Sequence, residues 1–481
     1  MAEQLFEDTL FDTMQTELHS LDFTQEDEES WTIHKVYLSI RHQYSEDYDP
    51  KLISIGPLHA RKKTLKSMES LKWRYLRDLL RRQGDPNMLG RYINKVRELE
   101  ARARKKYAEV IELDSNTFVR IMVLDACFII EMLIQWEYGV KLRERVHQIK
   151  WFTPLARNDL LLLENQIPFF NVQSLFELSN ILGLPDLEKL AIFYVTSGKS
   201  SSITGTVDPR NAYHLLHLLH LYNLSFLTKE EKPAPSCRHL VMCTLKKIGS
   251  LASGAFFGLL FLFFYCQPLA KCSKCHRHQV RDEESRRAPR MLPTATELDE
   301  SGVEFKRKEA MSLLDITFRD GVMEIPLLSI GYSTAPRFRN LIAFEQCCPM
   351  PNSPFSSYAT LIDNLIDTPK DVAIPKKYGI IESKLGQDED VANLFNSLRK
   401  GTYLDFETHH FAKLFKDVNQ YCEVDDHRWR ARLMQGYFRT PWSAISVIAA
   451  FIVVVFIVVL AIYAITAFQK NTAFPKPPKW F

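Results

Sequence analysis

The sequence predicts a mainly α-helical protein: one large helical domain with a few short strands, followed by a C-terminal transmembrane helix. Three observations carry this reading. Apolar residues recur at helical spacing between residues 63 and 136, whereas β-like segments are confined to the chain after Met311. Residues 443–468, SAISVIAAFIVVVFIVVLAIYAITAF, form an uncharged apolar run, and crossing a ~30 Å hydrocarbon core takes ~20 such residues at helical rise. Trp442 at one end and Tyr463 and Phe468 towards the other suit interfacial aromatic positions.

Composition bounds the rest. A chain of 481 residues, 46% hydrophobic and 25% charged, can bury its own core. A net charge of +3 is too small and too dispersed to suggest nucleic-acid binding. The nine cysteines, among them the adjacent Cys347 and Cys348, lack the regular spacing of a disulfide framework and read as reduced thiols. The opening 30 residues have neither the basic nor the apolar region of a signal peptide. With a short basic tail, 469–481, beyond the expected span, this predicts a single-pass, tail-anchored protein of the plasma membrane whose main domain is cytoplasmic. Arg428, Arg430, Arg432 and Arg439 on the near side agree with that orientation, and Lys470, Lys476 and Lys479 dilute it.

Residues 1–30 form an acidic N-terminal arm without Lys or Arg. Leu5, Phe6, Leu10, Met14, Leu18 and Leu21 fall near helical spacing, so the arm reads equally as a frayed amphipathic helix or a solvated tail. The domain, 31–440, opens with IHKVYLSIR and ISIGPLH. In 63–82, Leu65, Met68, Leu71, Tyr75 and Leu79 share one helical stripe that Gly84, Asp85 and Pro86 terminate. A second helix is expected from Met88 to about Leu113, and its basic outer face reads as a solvated surface. Residues 118–136, FVRIMVLDACFIIEMLIQW, are apolar nearly all round and predict a central buried helix. Asp125 and Glu131 lie within it. At ~100° per residue they point ~120° apart, which favours structural carboxylates satisfied by neighbouring helices over a convergent acid pair. In 158–170, NDLLLLENQIPFF, the polar trio Glu164, Asn165 and Gln166 closes an apolar block ahead of Pro168, as residues that cap and cross-link backbone do.

A variable insert at about 232–292 contains a second apolar run, 248–270, with a Gly254-to-Gly258 GxxxG. Full spanning there would split the domain, so a helix packed on the domain or dipping into a bilayer face is expected. Cys272, Cys275, His276 and His278 follow at ligand-like spacing. Haem attachment, a zinc knuckle and palmitoylation are weighed against plain reduced cysteines in a linker, and the last is preferred. After Met311, LLDITF and VMEIPLLSI suggest a hairpin about Asp320 and Gly321, and helices are expected from Arg339 to Glu345, Tyr358 to Ile366 and Asp388 to Lys400.

ISIGPLH at 53–59, LDACFIIE at 124–131, DLLLLENQIPFF at 159–170, LPTATELDESGVEF at 292–305, RFRNLIAFEQC at 337–347 and Pro441-Trp442 before the last apolar run together resemble the plant family called domain of unknown function 247 (UPF0481-like). The resemblance covers about 31–468. It implies a mainly helical, membrane-associated plant protein without an established catalytic activity, in a family some of whose members resemble pollen-side determinants of grass self-incompatibility. It supplies no catalytic residues.

No P-loop, G-x-G-x-x-G, G-x-S-x-G, H-E-x-x-H or kinase signature occurs. The expected function is therefore a non-enzymatic, membrane-anchored recognition or signalling protein, most sharply a pollen-side self-incompatibility determinant, otherwise a general growth or defence signalling protein. Its partners are expected to be a membrane and another protein, with no nucleic acid, small-molecule substrate, cofactor or metal, and no catalytic residue is assigned. The rival reading is an enzyme using Asp125, Glu131 or Glu164 in an interhelical pocket.

Overall fold

The longest buried helix, α4 (Ser115–Glu137), is the axle of the chain: from Phe118 to Gln135 all but two of its residues are buried, and Asp114 caps its first turn by accepting from the Thr117 N–H at 2.9 Å. This structure is a computed structural model. It describes residues 10–16, 18, 31–138, 149–181, 183–198, 211–227, 291–348, 350–423 and a helix at 441–471, whose side chains are described only at 449–450 and 452–465. Before the axle come the short helix α1 (Leu38–Arg41), α2 (Glu69–Gln83) and α3 (Met88–Arg104). After it come α5 (Phe152–Asp159), α6 (Phe169–Ser179), α7 (Leu187–Val195) and α8 (Leu215–Ser225), and α2, α3, α6 and α7 pack directly on α4. The apolar stripe read in 63–82 is the face that α2 lays against the axle: Leu71, Tyr75 and Leu79 are buried, and Tyr75 stacks on Phe128 at 5.0 Å.

The second half begins with α9 (Ala295–Glu300), started by a capping box in which Thr294 and Glu297 exchange side-chain-to-backbone bonds. Strands β1 (Glu304–Lys308), β2 (Thr317–Arg319) and β3 (Val322–Pro326) form a sheet in the order β1-β3-β2, and β4 (Leu328–Ile330) pairs with β5 (Ile381–Ser383). Helices α10 (Thr334–Cys347), α11 (Pro354–Leu365), α12 (Pro369–Lys377), α13 (Asp388–Leu398) and α14 (Ala412–Cys422) complete this half. One continuous apolar core joins both halves.

The chain is thus mainly helical with a few short strands. The β2–β3 hairpin turns at Asp320 and Gly321, with φ of 51° and 82°, the left-handed pair that the D-G signal predicts. Three expectations change. Residues 63–68 form a 3-10 turn before α2. Helix α3 ends at Arg104, not near Leu113, because the backbone leaves the helix to pair Tyr107 with Ile33, and the Arg104 guanidinium then donates to the carbonyls of Ile111 and Leu113 at 2.9 and 2.8 Å. The third is the membrane span. Residues 443–468 fall within the helix α15 (Pro441–Asn471), but among the described residues no helix is long and apolar enough to cross a membrane. The expected transmembrane helix and single-pass placement are overturned on that finding. The 248–270 run and Cys272, Cys275, His276 and His278 lie outside the described residues.

Candidate functional site

Of the polar residues singled out in the sequence, Asp125, Glu164, Asn165 and Gln166 become backbone clamps, and Glu131 pairs with side chains alone. Asp125, on α4, accepts from the Gly56 N–H at 2.8 Å and from the Lys72 ammonium at 2.6 Å. Burial pulls the Lys72 pKa down, but Asp125 and Glu69 outweigh it and leave it raised. Glu131 takes a two-pronged contact from Arg82, 2.8–3.2 Å, and accepts from Gln135 at 2.8 Å. The two carboxylates therefore meet different cations ten positions apart on α2 and share no site. Glu164 binds Arg41, accepts from the Val36 N–H at 3.0 Å and faces His59 at 3.3 Å. Asn165 accepts from the Ile55 N–H at 2.7 Å while its amide donates to the carbonyls of Ile53 and Asp159, both at 2.9 Å, and Gln166 donates to Leu160 and Leu162. Asp159, within the same motif, accepts from the N–H groups of Lys51, Leu52 and Ile53 at 2.7–3.0 Å.

Gly56 closes this knot. Its φ is 73°, and a Cβ there would lie 2.4 Å from the Gln166 carbonyl oxygen, so only glycine permits the approach. The ISIGPLH and LENQ stretches are thus two sides of one clamp, in which a strandless segment gets its backbone partners from side chains. The histidines His214, His217 and His220 on α8 pack around Phe344, with ring centroids 5.0, 5.2 and 5.8 Å away. They serve hydrogen bonds to Thr32, Tyr213 and Glu345, and among the described residues no His, Cys, Asp or Glu cluster is placed to hold a metal ion.

A concave site lies elsewhere. A pocket of about 260 Å³ opens between α1, α10 and the 398–402 turn. Arg339 lies at its base, 6% exposed, donating to Asp47 at 2.7 Å and to the Ser397 hydroxyl at 2.8 Å with its guanidinium carbon 3.4 Å from the Tyr44 ring centroid. Burial pushes the Asp47 carboxyl up and the Arg339 charge opposes it. Lys400 and Gln43 are exposed at the rim, and the lining contains no Asp, Glu, His or Cys. Tyr37, Leu38 and Tyr403, in the segments that frame the mouth, are 73%, 71% and 79% exposed. Gln346 holds Tyr403 at both backbone groups, accepting from its N–H at 2.9 Å and donating to its carbonyl at 3.0 Å, so an exposed aromatic ring stands on a fixed backbone. Gly401 permits the turn with φ 78°, and a Cβ there would come 3.3 Å from Ile40.

Comparison with known proteins places the whole described domain. Residues 33–456 match the family model DUF247, plant protein of unknown function. The chain belongs to the DUF247 family. It is similar to UPF0481 protein At3g47200 of Arabidopsis thaliana, 26% identical over 448 residues covering 90% of this chain and 86% of the relative. It is also similar to the Putative UPF0481 protein At3g02645 of the same plant, 23% identical over 460 residues and 85% of each chain. No solved structure matches it.

Among the motifs that carried the DUF247 resemblance, RFRNLIAFEQC does double duty. Asn340 and Glu345 are clamps: Asn340 accepts from the Leu163 N–H at 2.8 Å and Glu345 caps α11. Arg339 and Gln346, which flank them in the chain, help line the pocket. The pocket itself was missed in the sequence because its walls come from segments about 300 residues apart, which leave no local motif.

Proposed function

We propose that this DUF247 protein is a non-enzymatic recognition protein that receives a segment of another protein at the pocket between α1, α10 and the 398–402 turn. The observation that carries the reading is the pairing of a pocket whose lining holds Arg339 and Lys400 but no acid with the exposed Tyr37, Leu38 and Tyr403 in the segments next to it in the chain. Exposed Tyr and Leu on fixed backbone lose little entropy on contact and dominate interface energies when covered. Arg339 is paired with Asp47, and among the described residues Lys400 has no ion pair, so an acidic or carboxamide side chain of the partner fits inward while apolar residues cover Tyr37, Leu38 and Tyr403. The enzyme reading has less support: Asp125, Glu131 and Glu164 are each occupied by a cation and, for two of them, by backbone N–H groups, and none lines the pocket.

A benzophenone amino acid at Tyr403, with Tyr332 as an exposed control, tests this in the tissue that expresses the protein. The reading requires one discrete protein adduct at 403 that disappears with Lys400→Glu while the fold is unchanged. Adducts indifferent to Lys400→Glu, or the same adducts from 332, contradict it. The sharper version, a pollen-side determinant of self-incompatibility, rests on the family resemblance and requires expression confined to pollen and altered self-rejection when the chain is removed. Expression throughout the plant sinks that version and leaves general signalling.

A further inference from the structure

A second polar centre, remote from the pocket in sequence and lined by other residues, sits where α4, α5, α7 and α10 meet. Arg157 of α5 is 8% exposed, with its guanidinium carbon 5.0 Å from the ring centroid of Trp136 and 4.8 Å from that of Tyr194, and these two rings lie edge to face at 5.5 Å. Arg337 of α10 is the neighbouring cation, close enough that the charge of Arg157 adds to burial in pulling its pKa down. Five buried donor atoms in this cluster have no hydrogen-bond partner among the described residues: Nε and Nη2 of Arg157, Nε of Arg337, Nε1 of Trp136 and the Tyr194 hydroxyl. Among the described residues no ion pair joins either arginine to a carboxylate. Asp159, on the same helix as Arg157, is spent on the N–H groups of Lys51, Leu52 and Ile53.

A buried guanidinium beside a second, half-buried one of like charge, an indole N–H and a phenol O–H, with no acceptor among the described residues, is an arrangement that costs stability unless an anion completes it. Ring stacking offsets only part of that cost. Every one of the five atoms is a donor or can act as one, and a guanidinium fork matches two oxygens of a tetrahedral oxyanion at once. The cleft alongside, lined by Asn158, Leu161, Leu162, Pro336 and Arg337, holds no water-sized space as it stands, so the half-buried Arg337 side chain must move to admit an anion.

We infer that Trp136, Arg157, Tyr194 and Arg337 form a buried binding site for a free tetrahedral oxyanion of the phosphate or sulfate class. Calorimetry and thermal unfolding of the purified full chain test it with sodium phosphate, sodium sulfate and sodium acetate against sodium chloride at equal ionic strength. Phosphate or sulfate is expected to bind saturably and to raise the unfolding temperature, and chloride and acetate to do neither. Arg337→Gln is expected to weaken the binding at least about tenfold, as loss of a charge-assisted contact does, without lowering the unfolding temperature in chloride. Arg157→Gln is expected to abolish binding, and should it fail to fold, Arg337→Gln with Tyr194→Phe decides. A response to phosphate no larger than to chloride, an equal response to acetate, or undiminished binding by Arg337→Gln overturns the inference.

Discussion

Glu345 offers the most stringent test of how the second half of the chain is held. Its side chain is buried at 4% exposure and accepts four hydrogen bonds: from the Phe355 N–H and the Ser356 N–H, each 2.8 Å, from the Ser356 hydroxyl at 2.8 Å, and from the His220 ring at 2.9 Å. The two N–H groups belong to the first turn of α11, where Pro354 follows Ser353 and no residue of the helix itself supplies a side-chain cap. Glu345→Gln keeps the volume, so no cavity forms, but it turns one acceptor oxygen into an NH₂ that must face donors. One charge-assisted bond is lost, roughly 1.5–3 kcal/mol, and one helix N–H is left unsatisfied, roughly 1–3 kcal/mol. Removing a negative charge from a helix start adds roughly 0.5–1 kcal/mol. The expected destabilisation is about 3–7 kcal/mol in urea unfolding followed by far-ultraviolet circular dichroism, whereas Ser356→Ala, which removes a single hydroxyl contact, should cost about 1 kcal/mol. A loss below about 1 kcal/mol for Glu345→Gln would refute the reasoning, since it would mean that α11 does not depend on this carboxylate.

Further outcomes follow from other parts of the framework. Gly56→Ala should sharply reduce folded yield, because its Cβ would sit 2.4 Å from a backbone oxygen at a φ of 73°, and recovery of wild-type stability would show that the clamp gives. Lys72→Met leaves the Asp125 charge buried and should cost about 3–5 kcal/mol, while Lys72→Met with Asp125→Asn should cost less than the sum of the singles, because the amide oxygen still accepts from Gly56; additive losses in the cycle contradict a coupled pair. Acid should unfold the protein early. Burial lowers His214 to about 3 and His217 to about 2, with His214 and His220 adding to the shift at His217, so both are neutral when folded and take up protons below about pH 6.5 only by unfolding. Stability is thus full above that pH and falls towards pH 5 by about 2 kcal/mol per histidine, opposed by about 1 kcal/mol from Asp159, which burial raises to about 6; an unfolding free energy that is flat or rising from pH 7 to pH 5 would contradict this.

Helical content was legible wherever one helix face meets one neighbour. Leu71, Tyr75 and Leu79 announce α2, and the nearly uninterrupted apolar run announces α4, because burial on all sides leaves no polar stripe. The structural role of Asp125 and Glu131 was also legible, since carboxylates pointing apart on a buried helix need separate partners, though Lys72 and Arg82 could not be named. Helix α3 overran its true end because the Ile33–Tyr107 pairing is non-local and outweighs helical periodicity. The same holds for β1 and β5, whose parallel partners lie across long connections, while the β2–β3 hairpin was visible through its local D-G turn. The pocket depends on Tyr44, Arg339 and Lys400 arriving from distant segments, and the arginine cluster on four helices, so neither left a motif. The membrane expectation rested on hydropathy over 443–468, and it fails because among the described residues no helix is long and apolar enough to cross a membrane.

The central claim is that Asp125, Asp159 and Asn165 hold the backbone of the 51–56 segment, and amide hydrogen exchange of that segment tests it most directly. This stretch belongs to no helix or strand, yet the N–H groups of Lys51, Leu52, Ile53, Ile55 and Gly56 are bound by Asp159, Asn165 and Asp125. If the clamp is intact, those five amides exchange only on global opening, within about tenfold of the slowest amides of α4. Exchange at the rate of an ordinary surface loop, with α4 still protected, would show that the clamp opens freely and would return Asp125, Asp159 and Asn165 to the search for a chemical role.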